Sequence, residues 1–139
     1  MKLNEAARGL IGNGADATLV TLNPDGSPQV TVVWVGLRST PDGDELVTAH
    51  LGEHKKVRNI RRDSRVALTI VSTADAGKAM RPYLAIEGTA RIAEGGAPEL
   101  LRSLAQTLSD PAVFPPKDAP PGFVTHIHID KIGGIGPWQ

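Results

Sequence analysis

Ala17-Thr18-Leu19-Val20-Thr21-Leu22-Asn23-Pro24-Asp25-Gly26-Ser27-Pro28-Gln29-Val30-Thr31-Val32-Val33-Trp34-Val35 decides the fold. Two runs rich in Val, Thr and Leu flank a cluster of turn formers. Pro presets φ for the second turn position and Gly supplies the positive φ a tight reversal needs, while β-branched residues fit a pleated surface. Ala17 to Leu22 is therefore predicted as a strand, Asn23 to Gly26 as a turn, and Gln29 to Val35 as the antiparallel partner.

Working outward, Pro41-Asp42-Gly43 repeats the turn chemistry before a third strand, Glu45 to His50. Arg65 to Val71 reads as a fourth strand and Ser72 to Arg81 as a loop. Tyr83 to Ala93 is a long strand interrupted by Gly88, where a bulge or sharp bend is expected. Phe123 to Asp130 alternates with period two: Phe123, Thr125, Ile127 and Ile129 point one way, Val124, His126, His128 and Asp130 the other. A short helix from about Leu3 to Ile11 ends at Gly12-Asn13-Gly14. A second begins at Pro98 and carries the apolar stripe Leu100, Leu101, Leu104 and Leu108, which caps the sheet. Asp110 to Gly122 holds five of the 11 Pro residues and is expected to be a loop. Gly133-Gly134-Ile135-Gly136 reads as a turn, and Trp138 packs on its own barrel, a partner subunit or a flat ligand. Six β-segments with flanking helices predict a mainly β fold, a small antiparallel barrel.

The chain has 139 residues, 40% of them hydrophobic, without a composition break, so a single domain spanning 1–139 with its own core is expected. There is no Cys, which excludes disulfides and thiolate chemistry and suits a reducing cytoplasm. No stretch approaches the roughly 20 apolar residues of a membrane span, and the start resembles no leader, so cytoplasmic localisation without membrane association is expected. A formal net charge of zero and only 4% aromatic residues argue against nucleic-acid binding.

Against that neutral background, His54-Lys55-Lys56-Val57-Arg58-Asn59-Ile60-Arg61-Arg62-Asp63-Ser64-Arg65 concentrates six of the 15 Lys and Arg residues in twelve positions. As a helix, 100° steps put Lys55, Arg58, Asn59 and Arg62 on one side and turn Val57 and Ile60 toward a core. Cations in a first turn oppose the helix dipole, and an anion held there removes the conflict. The pattern is that of a phosphate or carboxylate site; the alternative is a solvated basic face.

The order of these motifs resembles the flavin/deazaflavin oxidoreductases of the pyridoxamine-phosphate-oxidase-like superfamily, which have an FMN-binding split β-barrel. The resemblance rests on Asn23-Pro24-Asp25-Gly26-Ser27-Pro28-Gln29-Val30-Thr31, then Lys56-Val57-Arg58-Asn59-Ile60-Arg61-Arg62-Asp63, then Arg65-Val66-Ala67-Leu68. Ile86-Glu87-Gly88-Thr89-Ala90 and the final Gly-Pro-Trp are similar to the branch that uses coenzyme F420, a deazaflavin. The resemblance implies a homodimer with two cofactor sites at the subunit interface. It assigns Gln29, Val30 and Thr31 to the ring, Thr48 and Ala49 to the ribityl chain and ring, and Lys55, Lys56, Arg58 and Asn59 to the phosphate. Arg81, Pro82, Tyr83, Leu84 and Trp138 are implied as the other chain's contribution, although Tyr83 equally suits barrel packing. His54 stands where some relatives carry Arg. A terminal Trp138 with that role implies that deleting Pro137 to Gln139 weakens cofactor binding more than folding.

What the resemblance implies chemically is an F420-dependent oxidoreductase passing hydride from a reduced deazaflavin to an electron-poor double bond of a small organic substrate. Cofactor chemistry of this kind needs no indispensable side-chain acid or base, so no catalytic residue is assigned. Lys55, Arg58 and Arg62 form a stripe suited to the anionic oligoglutamate tail of F420. The alternatives are an FMN-dependent enzyme of the same fold and a non-catalytic flavin- or deazaflavin-binding protein. His126 and His128 share a strand face at a spacing some metal sites use, with His50, His54 or Asp130 as third ligands, but a polar strand face explains them and no metal is expected. The glycine clusters lack the βαβ setting of a dinucleotide fingerprint, and no Gly-x-Ser-x-Gly elbow is present.

Overall fold

The structure, a computed structural model, describes residues 1–74, 77 and 79–139, so part of the expected loop from Ser72 to Arg81 lies outside the described residues. In chain order the elements are α1 (Glu5–Ile11), β1 (Ala15–Leu22), β2 (Pro28–Thr40), β3 (Gly43–His50), α2 (Lys55–Arg62), β4 (Arg65–Val71), β5 (Tyr83–Glu94), α3 (Ala97–Leu108) and β6 (Phe123–Ile135). The six strands close into an antiparallel barrel in the order β1-β2-β3-β6-β5-β4.

The turn chemistry works as its residues dictate. Gly26, at φ 84°, donates its N–H to Asn23 O at 2.8 Å, and the Asp25 carboxylate accepts from Ser27 N at 3.0 Å. This sets the β1–β2 register from Leu22↔Pro28 to Ala15↔Val35. β2 runs beyond its expected end at Val35 to Thr40, where Pro41 and Asp42 turn it into β3. At the start of the chain, Asn4 caps α1 by accepting from Ala7 N at 2.9 Å, which is why the helix begins at Glu5 rather than Leu3.

Inward positions alternate as period two requires: Leu19, Val35, Leu46, Leu68, Ile70, Leu84, Ile86, Ile127 and Ile129 fill the barrel. β4 closes it by pairing Thr18↔Thr69, Leu19↔Leu68 and Val20↔Ala67 with β1. The expected irregularity at Gly88 is present. Between Glu87↔Lys131 and Gly88↔Ile129 the register shifts, leaving Asp130 as the extra residue on β6. A Cβ on Gly88 would sit 2.5 Å from His128 O.

α3 lays its expected leucine stripe over β2, β3 and β6, with Leu101, Leu104 and Ala105 buried. α1 closes the barrel end that holds the β2–β3 turn, fastened by Arg8 to Asp44 at 2.5 Å and by Leu3 N to Asp44 at 2.8 Å. α2 covers the opposite end, against β1 and β5. The expected turn at Gly133 to Gly136 is instead largely strand. β6 continues to Ile135, pairing Gly133↔Ala85 and Gly134↔Leu84, and glycine is needed because a Cβ on Gly134 would meet Tyr83 O at 2.2 Å. Among the described residues, no helix is long and apolar enough to cross a membrane.

Candidate functional site

The barrel is split beside α2. β2 pairs with β1 along Pro28 to Val35, but its register with β3 begins only at Gly36↔Val47. Thr48, Ala49 and His50 pair with β6 on their other side. Between the free edge of β2 and the end of β3 lies a cavity of about 220 Å³, lined by Val32, Val33, Trp34, Ala49, Lys56, Leu101 and Phe114. Val30 and Val32 project beside it with 62% and 66% of their surface exposed, too apolar and too exposed for a face meant to stay in water. Phe114 closes one wall, its ring edge-on to Trp34 at 5.6 Å between centroids.

Lys56 brings charge to this apolar slit. It stands in the first turn of α2, where His54 makes no side-chain cap and no acidic residue offsets the dipole. Burial depresses the pKa of its ammonium below the usual lysine value. The other cations of the cluster are mostly engaged. Arg58 donates to Glu53 O at 2.7 Å, Arg61 to the Glu53 carboxylate at 2.7 Å, and Arg65 to both oxygens of Asp63. Arg62 donates to Leu22 O and, at 3.3 Å, to Asn59 Oδ1. Lys55 and Lys56 have no hydrogen bond or ion pair among the described residues. A phosphate beside the uncapped helix start fits this pair, since it relieves both the dipole conflict and the desolvated ammonium.

Two corrections follow for this helix. Asn59 does not share the exposed face of Lys55 and Arg58: it is 1% exposed, and its Nδ2 donates to Thr21 Oγ1 and Asn23 Oδ1, each at 3.1 Å. The barrel mouth wraps α2 over a wider arc than a flat sheet would. Arg62 is drawn to the end of β1 by Leu22 O, so the cationic stripe expected for an oligoglutamate tail shortens to Lys55 and Arg58.

The remaining candidates divide by strand parity. Gln29 and Thr31 are half-buried on the inward side of β2, and Val30 lies outward beside the slit. Ala49 lines the slit, whereas Thr48 points into the barrel, fully buried, its Oγ1 without a partner among the described residues. At 0% exposure Thr48 is closed to a ligand in the single chain, backbone included. Next to it His50 is buried, Nε2 2.9 Å from Thr125 Oγ1; burial first, then the charges of Lys56 and His54, push its pKa down to about 3. It is a neutral ring at ordinary pH.

Arg81, Pro82, Tyr83 and Leu84 lie at the other end of β4, a strand of seven residues spanning about 20 Å at roughly 3.3 Å per residue. One chain does not bring them to Lys56. Leu84 is fully buried in the core, its backbone paired between Ile70 and Gly134, and is not open to a ligand. Trp138 is placed on its own barrel: it is 6% exposed, within the core cluster, and its Nε1 donates to Tyr83 O at 2.8 Å. His126 Nδ1 lies 2.9 Å from Glu45 Oε1 and His128 Nδ1 2.9 Å from Asp130 Oδ1. Among the described residues no three His, Asp or Glu gather as metal ligands.

Sequence reasoning missed Phe114 and Leu101 at the slit. Phe114 was signalled only by an aromatic ring inside a proline-rich loop, and Leu101 was absorbed into the helix stripe.

A closed six-stranded antiparallel barrel, slit between two strands and capped by a basic helix at the slit, defines a split-barrel protein of the flavin-binding oxidoreductase superfamily. The chain belongs to the pyridoxamine 5'-phosphate oxidase family, whose sequence profile matches residues 3–135. No curated protein matches it. Solved structures share its fold. An F420 reductase superposes with a TM-score of 0.74 at 21% identity, covering 91% of this chain and 94% of the other. HupZ of Group A Streptococcus gives 0.67 at 19%, covering 97% and 95%. A conserved hypothetical protein from Mycobacterium tuberculosis gives 0.65 at 22%, covering 95% and 84%.

Proposed function

We propose that the protein is a deazaflavin-dependent oxidoreductase that binds coenzyme F420 at the β2–β3 slit and reduces a small electron-poor organic substrate. The observation that carries this reading is Lys56, an unpaired, partly desolvated ammonium at an uncapped helix start, opening on an apolar cleft. Lys55 and Lys56 hold the cofactor phosphate, with Arg58 beside them. Val30, Thr31 and Ala49 border the ring. The bound ring supplies the hydride; the protein supplies orientation and a dry surface. The likeness to an F420 reductase supports the choice of cofactor at the level of fold.

The site in one chain is half-walled. A flat hollow of about 270 Å³ on the outer faces of β1, β4, β5 and β6, lined among others by Val20, Ala67, Thr69, Ala85 and Ile132, offers no unpaired cation for a phosphate and suits a second copy instead. A homodimer would bring the partner's Arg81, Pro82 and Tyr83 over the ring, which no single chain achieves.

FMN is the second reading, favoured by the engagement of Arg62, which removes one cation from the path of an F420 tail. Fluorescence titration of the apoprotein with both cofactors tests the choice. Tighter binding of F420, its advantage shrinking as salt rises, supports the deazaflavin reading; tighter FMN binding at low salt replaces it with the FMN reading. Tight binding without reduction of any activated-alkene substrate would make the chain a binding protein.

A further inference from the structure

The polar side chains at the slit end of the barrel form one directed hydrogen-bond chain, fixed at both ends by groups that cannot reverse. The Asp25 carboxylate only accepts. Ser27 Oγ donates to it at 2.6 Å and therefore accepts from Asn23 Nδ2 at 3.2 Å. That turns Asn23 Oδ1 toward Asn59 Nδ2. At the other end the Arg62 guanidinium only donates, and it meets Asn59 Oδ1 at 3.3 Å. Both ends impose the same orientation on Asn59, Oδ1 to Arg62 and Nδ2 to β1, so the carboxamide is not free to flip.

The second Nδ2 hydrogen of Asn59 goes to Thr21 Oγ1, and the Thr21 hydroxyl, fully buried, passes its own hydrogen to Gln29 Oε1 at 2.9 Å. Gln29 is thus held by its oxygen. Its Nε2 has no acceptor among the described residues and stands on β2 where that strand has no β3 partner.

We infer that Asn59 and Thr21 are positioning residues that set Gln29 as a hydrogen-bond donor. The group docked there must then be an acceptor, a ring carbonyl or an unprotonated ring nitrogen. This rests on the slit being the ring site, and it moves Asn59 from holding phosphate, and Arg62 from following an anionic tail, to recognising the ring. Because the chain of donors is continuous, reversing one member reverses the end.

Asn59→Asp supplies only acceptors at this position. Thr21 must then donate to it, and Gln29 must turn to donate Nε2 to Thr21, leaving Oε1 in place of Nε2 as its free end. In the unliganded protein, nitrogen-15 NMR of the Gln29 side-chain amide should show hydrogen exchange as fast as in a free glutamine, slowing about tenfold or more in Asn59→Asp as the amide gains a partner. Affinity for FMN and F420 should fall about tenfold or more in Asn59→Asp and in Thr21→Val, and be retained in Thr21→Ser. Unaltered Gln29 exchange in a folded Asn59→Asp protein overturns the relay. Reversed exchange with unaltered affinity overturns the acceptor requirement. If Asn59→Asp does not fold, the threonine pair decides: wild-type affinity in Thr21→Val overturns the inference, and loss there with rescue by Ser supports it. Should the wild type bind neither cofactor, the proposed function fails, while the exchange measurement still judges the relay.

Discussion

The indole Nε1 of Trp138 donates to the carbonyl oxygen of Tyr83 at 2.8 Å, joining the end of the chain to the start of β5. Asn4 Nδ2 fastens the same tail by donating to Pro137 O at 2.9 Å. Of the three surfaces the sequence left open to this ring, its own barrel is the one it packs on. Deleting Pro137 to Gln139 should weaken folding first, the reverse of what the family resemblance implied. Trp138→Ala should cost about 3 kcal/mol or more in urea denaturation, as other buried aromatic truncations do. Trp138→Phe should cost less, keeping the packing but losing the hydrogen bond.

Lys56 sets stability against function. Its lowered pKa means that the folded state disfavours the charged amine, so the charge is a small liability while no anion is bound. Since the side chain still sees solvent, Lys56→Met should stabilise the unliganded protein by only about 0.5 kcal/mol, while cofactor affinity drops. Thermal melts with and without FMN check both halves; a destabilised Lys56→Met protein would show that the amine has a partner after all.

His50 should shape the acid limb of the stability curve. Its folded pKa, about 3, lies below the model-peptide value of 6.5, so its contribution is fully present above pH 6.5 and is lost as pH falls from there toward 3. The slope for one proton is at most about 1.4 kcal/mol per pH unit. His50→Gln, which does not titrate, should flatten this region in urea melts run between pH 7 and pH 4.

Gly88 and Gly9 should respond in opposite directions to alanine. A Cβ at Gly88 meets His128 O at 2.5 Å and Ile127 Cγ2 at 2.8 Å, so Gly88→Ala should cost roughly 2–3 kcal/mol. A Cβ at Gly9 meets nothing within 4 Å, and Gly9→Ala inside α1 should gain about 0.5–1 kcal/mol. Denaturant midpoints of the two variants decide.

Local chemistry was legible in the sequence, and tertiary wrapping was not. The Asn23 to Gly26 turn, the alternation of Phe123 to Ile129 and the Gly88 bulge follow from short-range rules, and signals of this kind place the six strands along the chain but not their order around the barrel. Asn59 escaped because a helical wheel assumes one flat buried face, whereas the barrel mouth encloses α2 from β1 as well. Arg62 escaped because its acceptor, Leu22 O, is 40 residues away in sequence. Gly133 and Gly134 read as a turn because nothing local shows that the strand continues or that the Tyr83 carbonyl crowds Gly134. Phe114 joined the slit only through its packing on Trp34.

If Lys56 holds a phosphate at the mouth of the slit, calorimetric titration with FMN and riboflavin, identical but for that phosphate, will show it. Wild type should prefer FMN by about 100-fold, the worth of two charge-assisted contacts. In Lys56→Glu, with an unchanged circular dichroism spectrum, that preference should vanish. Equal affinity of the wild type for both ligands, or a preference that survives Lys56→Glu, would contradict the assignment.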